Sequence, residues 1–91
     1  MNKQNRKDLI KMSEKIYDLV SQIDNLREEL ADLATEEESK YDNLNEGLQE
    51  SEMGQRLQEG YETLQDLADR LEYAVSDIYT ITEEIESATE L

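Results

Sequence analysis

The chemistry open to this chain is carboxylate chemistry. Asp and Glu supply 24 of its 91 residues, whereas His and Cys are absent. A carboxylate metal site in a helical bundle needs Glu-x-x-His repeats projecting inward, which a chain without histidine cannot build. For a calcium loop, Asp42 and Gly47 fit the first and sixth of twelve positions. Its third position is then Leu44 and its twelfth Met53, where an oxygen ligand and a bidentate Glu are required. Nucleophilic catalysis needs a Ser or Cys beside a base, and neither His nor Cys is present. The acids fall on solvated positions and lack the burial that tunes a catalytic carboxylate. No glycine-rich phosphate loop occurs among Gly47, Gly54 and Gly60. The reading is of a protein that is not an enzyme, with no catalytic residue, cofactor or metal.

Many carboxylates together can still act as a ligand, by standing where phosphates would stand. The net charge is −15 and is unevenly placed. Residues 1–15 carry five Lys and Arg against two acids, a net of +3, and the remaining 76 carry four against 22, a net of −18. A body of that charge repels nucleic acid and anionic membrane and attracts a basic surface. Duplex DNA presents one charge per ~1.7 Å of axis. An excess of 18 acids over a helical hairpin about 55 Å long gives roughly one per 3 Å. The expected partner is a basic, nucleic-acid-handling protein such as a nuclease or CRISPR effector, with no direct contact to nucleic acid or membrane. Where helix termini meet, Glu36, Glu37, Glu38, Asp42, Glu46, Glu50 and Glu52 crowd together near only Lys40 and Arg56. These seven acids are the candidate partner-binding residues, with Tyr73 and Tyr79 expected as exposed aromatics beside acids.

The elements that position these acids are written in sevens. Leu9, Ile16, Ile23 and Leu30 interleave with Met12, Leu19, Leu26 and Leu33, eight apolar residues at 3-4 spacing that define one seam of an α-helix. Period 2 would scatter them over both faces of a strand. Glu37 and Lys40 occupy the next two places, so the seam stops there. Asn5 is the expected N-cap, with Asp8 three residues on. Asn43, Asn45 and Gly47 supply turn chemistry, with Leu44 and Leu48 expected to close the tip. Ser51 is placed to cap a second helix.

That helix has a wider stripe. Leu57, Leu64, Leu71, Ile78 and Ile85 form one row, Tyr61, Ala68, Val75 and Thr82 a second, and Gly60, Leu67, Ala74, Ile81 and Ala88 a third. A three-row face buries against more than one neighbour. The expected fold is all-α: a single-domain antiparallel helical hairpin, with helices over about 5–42 and 51–89 joined by 43–50. Two such hairpins are expected to form a homodimeric four-helix bundle, with Leu57, Leu64, Leu67, Leu71, Ile78, Ile81 and Ile85 in the oligomer seam. The antiparallel arrangement sets the basic start of the first helix beside Asp77, Glu83, Glu84, Glu86 and Glu90. An internal charge match is the expected account of the basic segment, ahead of a nucleic-acid contact. Gly60 is expected either to allow close approach or simply to be tolerated inside its helix. No cysteine framework, apolar leader or transmembrane run is present, and a cytoplasmic location is expected.

The stretch from Tyr41 to Gly54, YDNLNEGLQESEMG, followed by acidic heptads, resembles a group of small acidic helical-hairpin proteins. These are encoded by phages, plasmids and other mobile elements of Firmicutes. The group has Pro where this chain has Asn45 and Arg where it has Met53. The resemblance covers about the second half of the chain and implies a mobile-element setting. There an inhibitor of a defence protein, acting as a DNA mimic, would be of use. The competing expectation is a structural coiled-coil spacer or assembly protein.

Overall fold

A computed structural model describes residues 1–91, all of them. Three helices follow one another: α1 over Lys3–Asp42, α2 over Glu46–Gln49 and α3 over Glu52–Ala88, with no strand. The chain divides into two compact units, Met1–Asn25 with Glu72–Leu91, and Leu26–Leu71. In each, a stretch of α1 lies antiparallel to a stretch of α3, so the fold is an all-α helical hairpin.

Caps fix the helix starts. The Asn5 amide donates to Asn2 Oδ1 at 2.7 Å, so α1 is capped by Asn2 rather than by Asn5. Ser51 caps α3 by accepting from the Gly54 amide at 3.2 Å, and its own hydroxyl donates to the Leu48 carbonyl. The connection contains a helical turn, α2, capped by Asn45, whose side chain accepts from the Leu48 amide at 3.0 Å. Gly54 is buried against this turn. A Cβ there would collide with the backbone carbonyl oxygens of Leu48 and Gln49, so α2 can fold back only over a glycine. Gly60 has nothing within 4 Å and permits no close approach. Leu44 is half-buried at the tip, whereas Leu48 is exposed.

The line of closest packing differs from the leucine seam of the sequence. On α1 it is the row Ser13, Val20, Arg27, Ala34 and Tyr41, in which Ser13, Val20 and Ala34 are buried. On α3 it is Gly54, Tyr61, Ala68, Val75 and Thr82, with all but Tyr61 buried. Small residues let the two backbones approach, which a line of leucines would prevent. Leu9, Ile16, Ile23 and Leu30 flank this line half-buried, as do Leu57, Leu64, Leu71, Ile78 and Ile85 on α3. The closest-packed rows are accordingly not apolar throughout. Buried Ser13 donates to the Ile10 carbonyl at 2.8 Å and buried Thr82 to the Ile78 carbonyl at 2.7 Å. No buried side-chain polar atom lacks a partner.

In the first unit Tyr17 meets Tyr79, ring centroids 6.1 Å apart, and the Met1 amino group donates to the Leu91 carbonyl. In the second, Tyr41 meets Tyr61 at 5.7 Å, and Gln65 donates to Glu38 across the pair. Tyr79 is thus half-buried rather than exposed; Tyr73 is 74% exposed. None of Lys3, Arg6, Lys7, Lys11 and Lys15 forms an ion pair with the carboxylates near the end of α3. The expected charge match is therefore not made by direct contacts.

Candidate functional site

Both long helices carry the same order of chemistry around their circumference. Counting from the closest-packed row, the half-buried apolar row comes next on one side, and beyond it an exposed apolar row. On α1 that exposed row is Met12, Leu19, Leu26 and Leu33, between 51% and 59% exposed. On α3 it is Met53, Gly60, Leu67, Ala74 and Ile81, where Leu67 is 40% and Ile81 52% exposed. Two antiparallel helices are related by a two-fold axis between them, which keeps equivalent rows on one side of the pair. In the first unit Met12 and Leu19 therefore share a face with Ala74 and Ile81. In the second, Leu26 and Leu33 share one with Met53 and Leu67. This is the front of each unit.

The opposite side of the closest-packed row is acidic. In the first unit it presents Glu14, Asp24, Glu72, Glu83 and Glu86; in the second, Glu28, Glu38, Asp42, Glu62 and Asp69. The heptad rows that carry these ten acids contain no Lys or Arg from Ile10 to Glu86. From the closest-packed row, Arg27 reaches Glu28 at 3.6 Å. The field of the acids acts on neighbouring groups. The Tyr17 hydroxyl has its pKa raised by desolvation on burial and by the Glu86 and Glu83 carboxylates. Tyr61 is raised likewise, by desolvation first, then by Glu62, Glu38, Tyr41 and Asp42. This carboxylate face is the back of each unit.

The acids expected to cluster at the connection are not gathered into one patch. Consecutive helical residues point about 100° apart. Glu36, Glu37 and Glu38 accordingly diverge: Glu36 lies on the outer edge of the front and Glu38 on the back with Gln65. Glu37 accepts a 2.8 Å bond from Lys40, whose amine it holds above the usual lysine range. Glu37 and Glu52 meet across a shallow groove lined also by Met53, Arg56, Leu57 and Gly60, and Glu52 accepts from Arg56 at 2.7 Å. Asp42 is on the back, while Glu46 and Glu50 are exposed on and beside α2. Only Glu38 and Asp42 of the seven join the carboxylate face. The acids missing from the expected set were legible by counting in sevens along rows that carry no Lys or Arg after Ile10.

No group of three or more Asp and Glu could hold a metal ion, and no helix is long and apolar enough to cross a membrane. No protein-family model, curated protein or solved structure matches the chain.

Proposed function

We propose that this chain is a non-enzymatic, acidic protein-binding module that presents its carboxylate back to a basic, nucleic-acid-handling protein. The observation that carries this reading is the sorting of charge: ten acids behind the closest-packed line, on rows that hold no Lys or Arg between Ile10 and Glu86. Phosphate-binding channels are lined by Lys and Arg, and carboxylates held on a rigid helix pair engage those side chains at little ordering cost. The mobile-element setting implied by the Tyr41–Gly54 stretch suits a cytoplasmic inhibitor of a nuclease or CRISPR effector acting as a DNA mimic.

The test is competition. A basic nuclease that binds the chain should release it when duplex DNA is added, and affinity should fall steeply with salt. Changing Glu28, Glu62 and Asp69 to the amides should weaken that binding tenfold or more with helicity unchanged. Changing Glu36, Glu46 and Glu50 to Gln should weaken it less. If the two triple variants lose equal affinity, the back face is not the ligand surface.

A second reading, a coiled-coil assembly protein, is favoured by a different observation: the exposed Met12, Leu19, Leu26 and Leu33 row. Assembly through the front would be nearly indifferent to competing DNA and would not weaken with salt.

A further inference from the structure

We infer that the front is covered by a second copy of this chain. In that homodimer α1 of one chain lies over α3 of the other, and the two connections sit at the same end. The inference deepens the assembly reading, on which it rests, and is independent of the carboxylate back, which stays outside in such a dimer.

Exposed area is the first support. The chain has a mass of 10.6 kDa. A folded monomer of that mass exposes about 5500 Å² by the scaling of surface with size. This chain exposes 6738 Å². The excess, about 1200 Å² per chain, corresponds to a dimer burying about 2400 Å², within the range of obligate homodimers. On α1 the exposed Met12, Leu19, Leu26 and Leu33 recur every seventh position, which is how a helix addresses another helix.

Charge at the edge of the front is the second. Beyond the exposed apolar row, α1 carries Lys15, Gln22, Glu29 and Glu36, and α3 carries Arg56, Thr63, Arg70, Asp77 and Glu84, all exposed. The Tyr17–Tyr79 contact sets Lys15 within about 4.5 Å, or three residues of helical rise, of the level of Glu84. In the other unit the Tyr41–Tyr61 contact does the same for Glu29 and Arg70. When α1 lies over α3 of a second chain at those levels, Lys15 meets Glu84 of the partner subunit. Glu29 then meets Arg70 of the partner subunit. Symmetry repeats both pairs, giving four attractive contacts. Gln22 falls opposite Asp77 and Glu36 opposite Thr63, so no like charges are opposed between Lys15 and Glu36.

The polar break in the leucine seam sets the direction. Glu37 and Lys40 bond each other at 2.8 Å near the connection. With connections at the same end, this polar layer lies over the partner's α3 near the level of Gly60, which presents no side chain to it. Turned end for end, the second chain would press Glu37 and Lys40 into the apolar layers around Met12 and Ile16, desolvating charges against hydrocarbon.

The test uses the full chain. Light scattering at micromolar concentration should give about twice 10.6 kDa. Leu19 and Leu26 are each 59% exposed, so L19Q/L26Q should keep its helicity while the mass falls to that of one chain. K15E should raise the dimer Kd roughly 3- to 10-fold, and adding E84K should restore it. The chain has no cysteine, and a Cβ at Gly47 meets only Asn45 Oδ1, at an ordinary 3.5 Å. Nitroxide labels on G47C should therefore sit far closer together across the dimer than one hairpin length of about 55 Å. A monomeric wild type with full helicity, or an L19Q/L26Q variant that remains dimeric, overturns the covered front. A dimer whose G47C labels lie about one hairpin length apart overturns the same-end arrangement.

Discussion

Replacing Gly54 and Gly60 by alanine, one at a time, separates two glycines that look alike in the sequence. Both lie in α3, where alanine is favoured by about 1 kcal/mol from helix propensity alone. At Gly60 a Cβ has nothing within 4 Å. Gly60→Ala should therefore gain most of that propensity difference, about 1 kcal/mol. For a domain of this size the gain corresponds to a melting temperature higher by about 4–8 °C. At Gly54 the same methyl meets the Leu48 and Gln49 carbonyl oxygens and the Gln49 carbonyl carbon. These are backbone atoms, so the clash cannot be relieved by a rotamer change; α2 must move off α3. Overpacking of that kind costs roughly 1–3 kcal/mol, which equals or exceeds the propensity gain. Displacing α2 would also disturb the Ser51 bonds to Leu48 and Gly54. Gly54→Ala should therefore gain nothing and lower stability by up to about 2 kcal/mol net. The assay is urea unfolding followed by circular dichroism at one fixed protein concentration, because association contributes to apparent stability. If Gly54→Ala matches Gly60→Ala, the connection does not pack on α3 and the account of the tip is wrong.

Three further outcomes follow from burial. Val20 is 1% exposed and its neighbour Leu19 59% exposed. Val20→Ala should cost about 2 kcal/mol through lost burial and the cavity left behind. Leu19→Ala should cost no more than about 0.5 kcal/mol in the folding of an isolated chain. Equal losses in urea titrations extrapolated to low protein concentration would place the leucine row in the hairpin after all. The Thr82 hydroxyl gives its one bond to a carbonyl of its own helix. Thr82→Val, of the same shape, should be neutral or stabilising by up to about 1 kcal/mol. A loss above about 1 kcal/mol would give that hydroxyl a structural role. The raised pKa values of Tyr17 and Tyr61 mean that the folded state resists losing those protons. Their contribution is complete below the ordinary tyrosine value of 10.0 and is lost as pH rises through the higher folded-state pKa. Ultraviolet absorbance titration of tyrosinate should lose a late component in Tyr17→Phe and again in Tyr61→Phe. Unchanged profiles would mean that burial and the neighbouring carboxylates together do not hold these hydroxyls protonated.

The long helices were legible because their apolar sevens are unbroken, and Ser51 was legible as a cap from its type and place. The closest-packed line was legible on α3, where Tyr61, Ala68, Val75 and Thr82 form one row of the stripe, but not on α1. Ser13, Val20, Arg27 and Ala34 recur at seven, but they carry no hydrophobic signal to compete with eight Leu, Ile and Met residues beside them. Periodicity identifies which residues avoid water; it does not say which neighbour covers them, and here Met12, Leu19, Leu26 and Leu33 stay exposed on the pair. Small size was the available clue, and Ala68, Val75 and Thr82 on α3 repeat it. The acids near the connection mislead for a related reason. Nearness in sequence is not nearness in space, since a helical turn of about 100° per residue spreads Glu36, Glu37 and Glu38 around α1. Gly54 could not be singled out, because its constraint comes from α2, a turn whose backward fold depends on Asn45 and Ser51 together.

Front and back respond oppositely to salt, and that opposition separates the two readings in one titration. Two chains of −15 each repel as they associate, and four edge pairs offset only part of that repulsion. Raising ionic strength from ~0.01 M to ~0.1 M shortens the Debye length from ~30 Å to ~10 Å and screens the repulsion. Burial of Leu19, Leu26 and Ile81 is little affected by that change. Self-association through the front should therefore tighten over this range, and the melting temperature should rise with it. Capture of a basic protein by the back is attraction between opposite charges, so the same change should weaken it. Sedimentation of the chain alone and in mixture with a basic nuclease, across one salt series, reads both. If self-association weakens with salt in parallel with capture, charge pairing and not the leucine row holds the two copies together, and the front loses its role as the dimer surface.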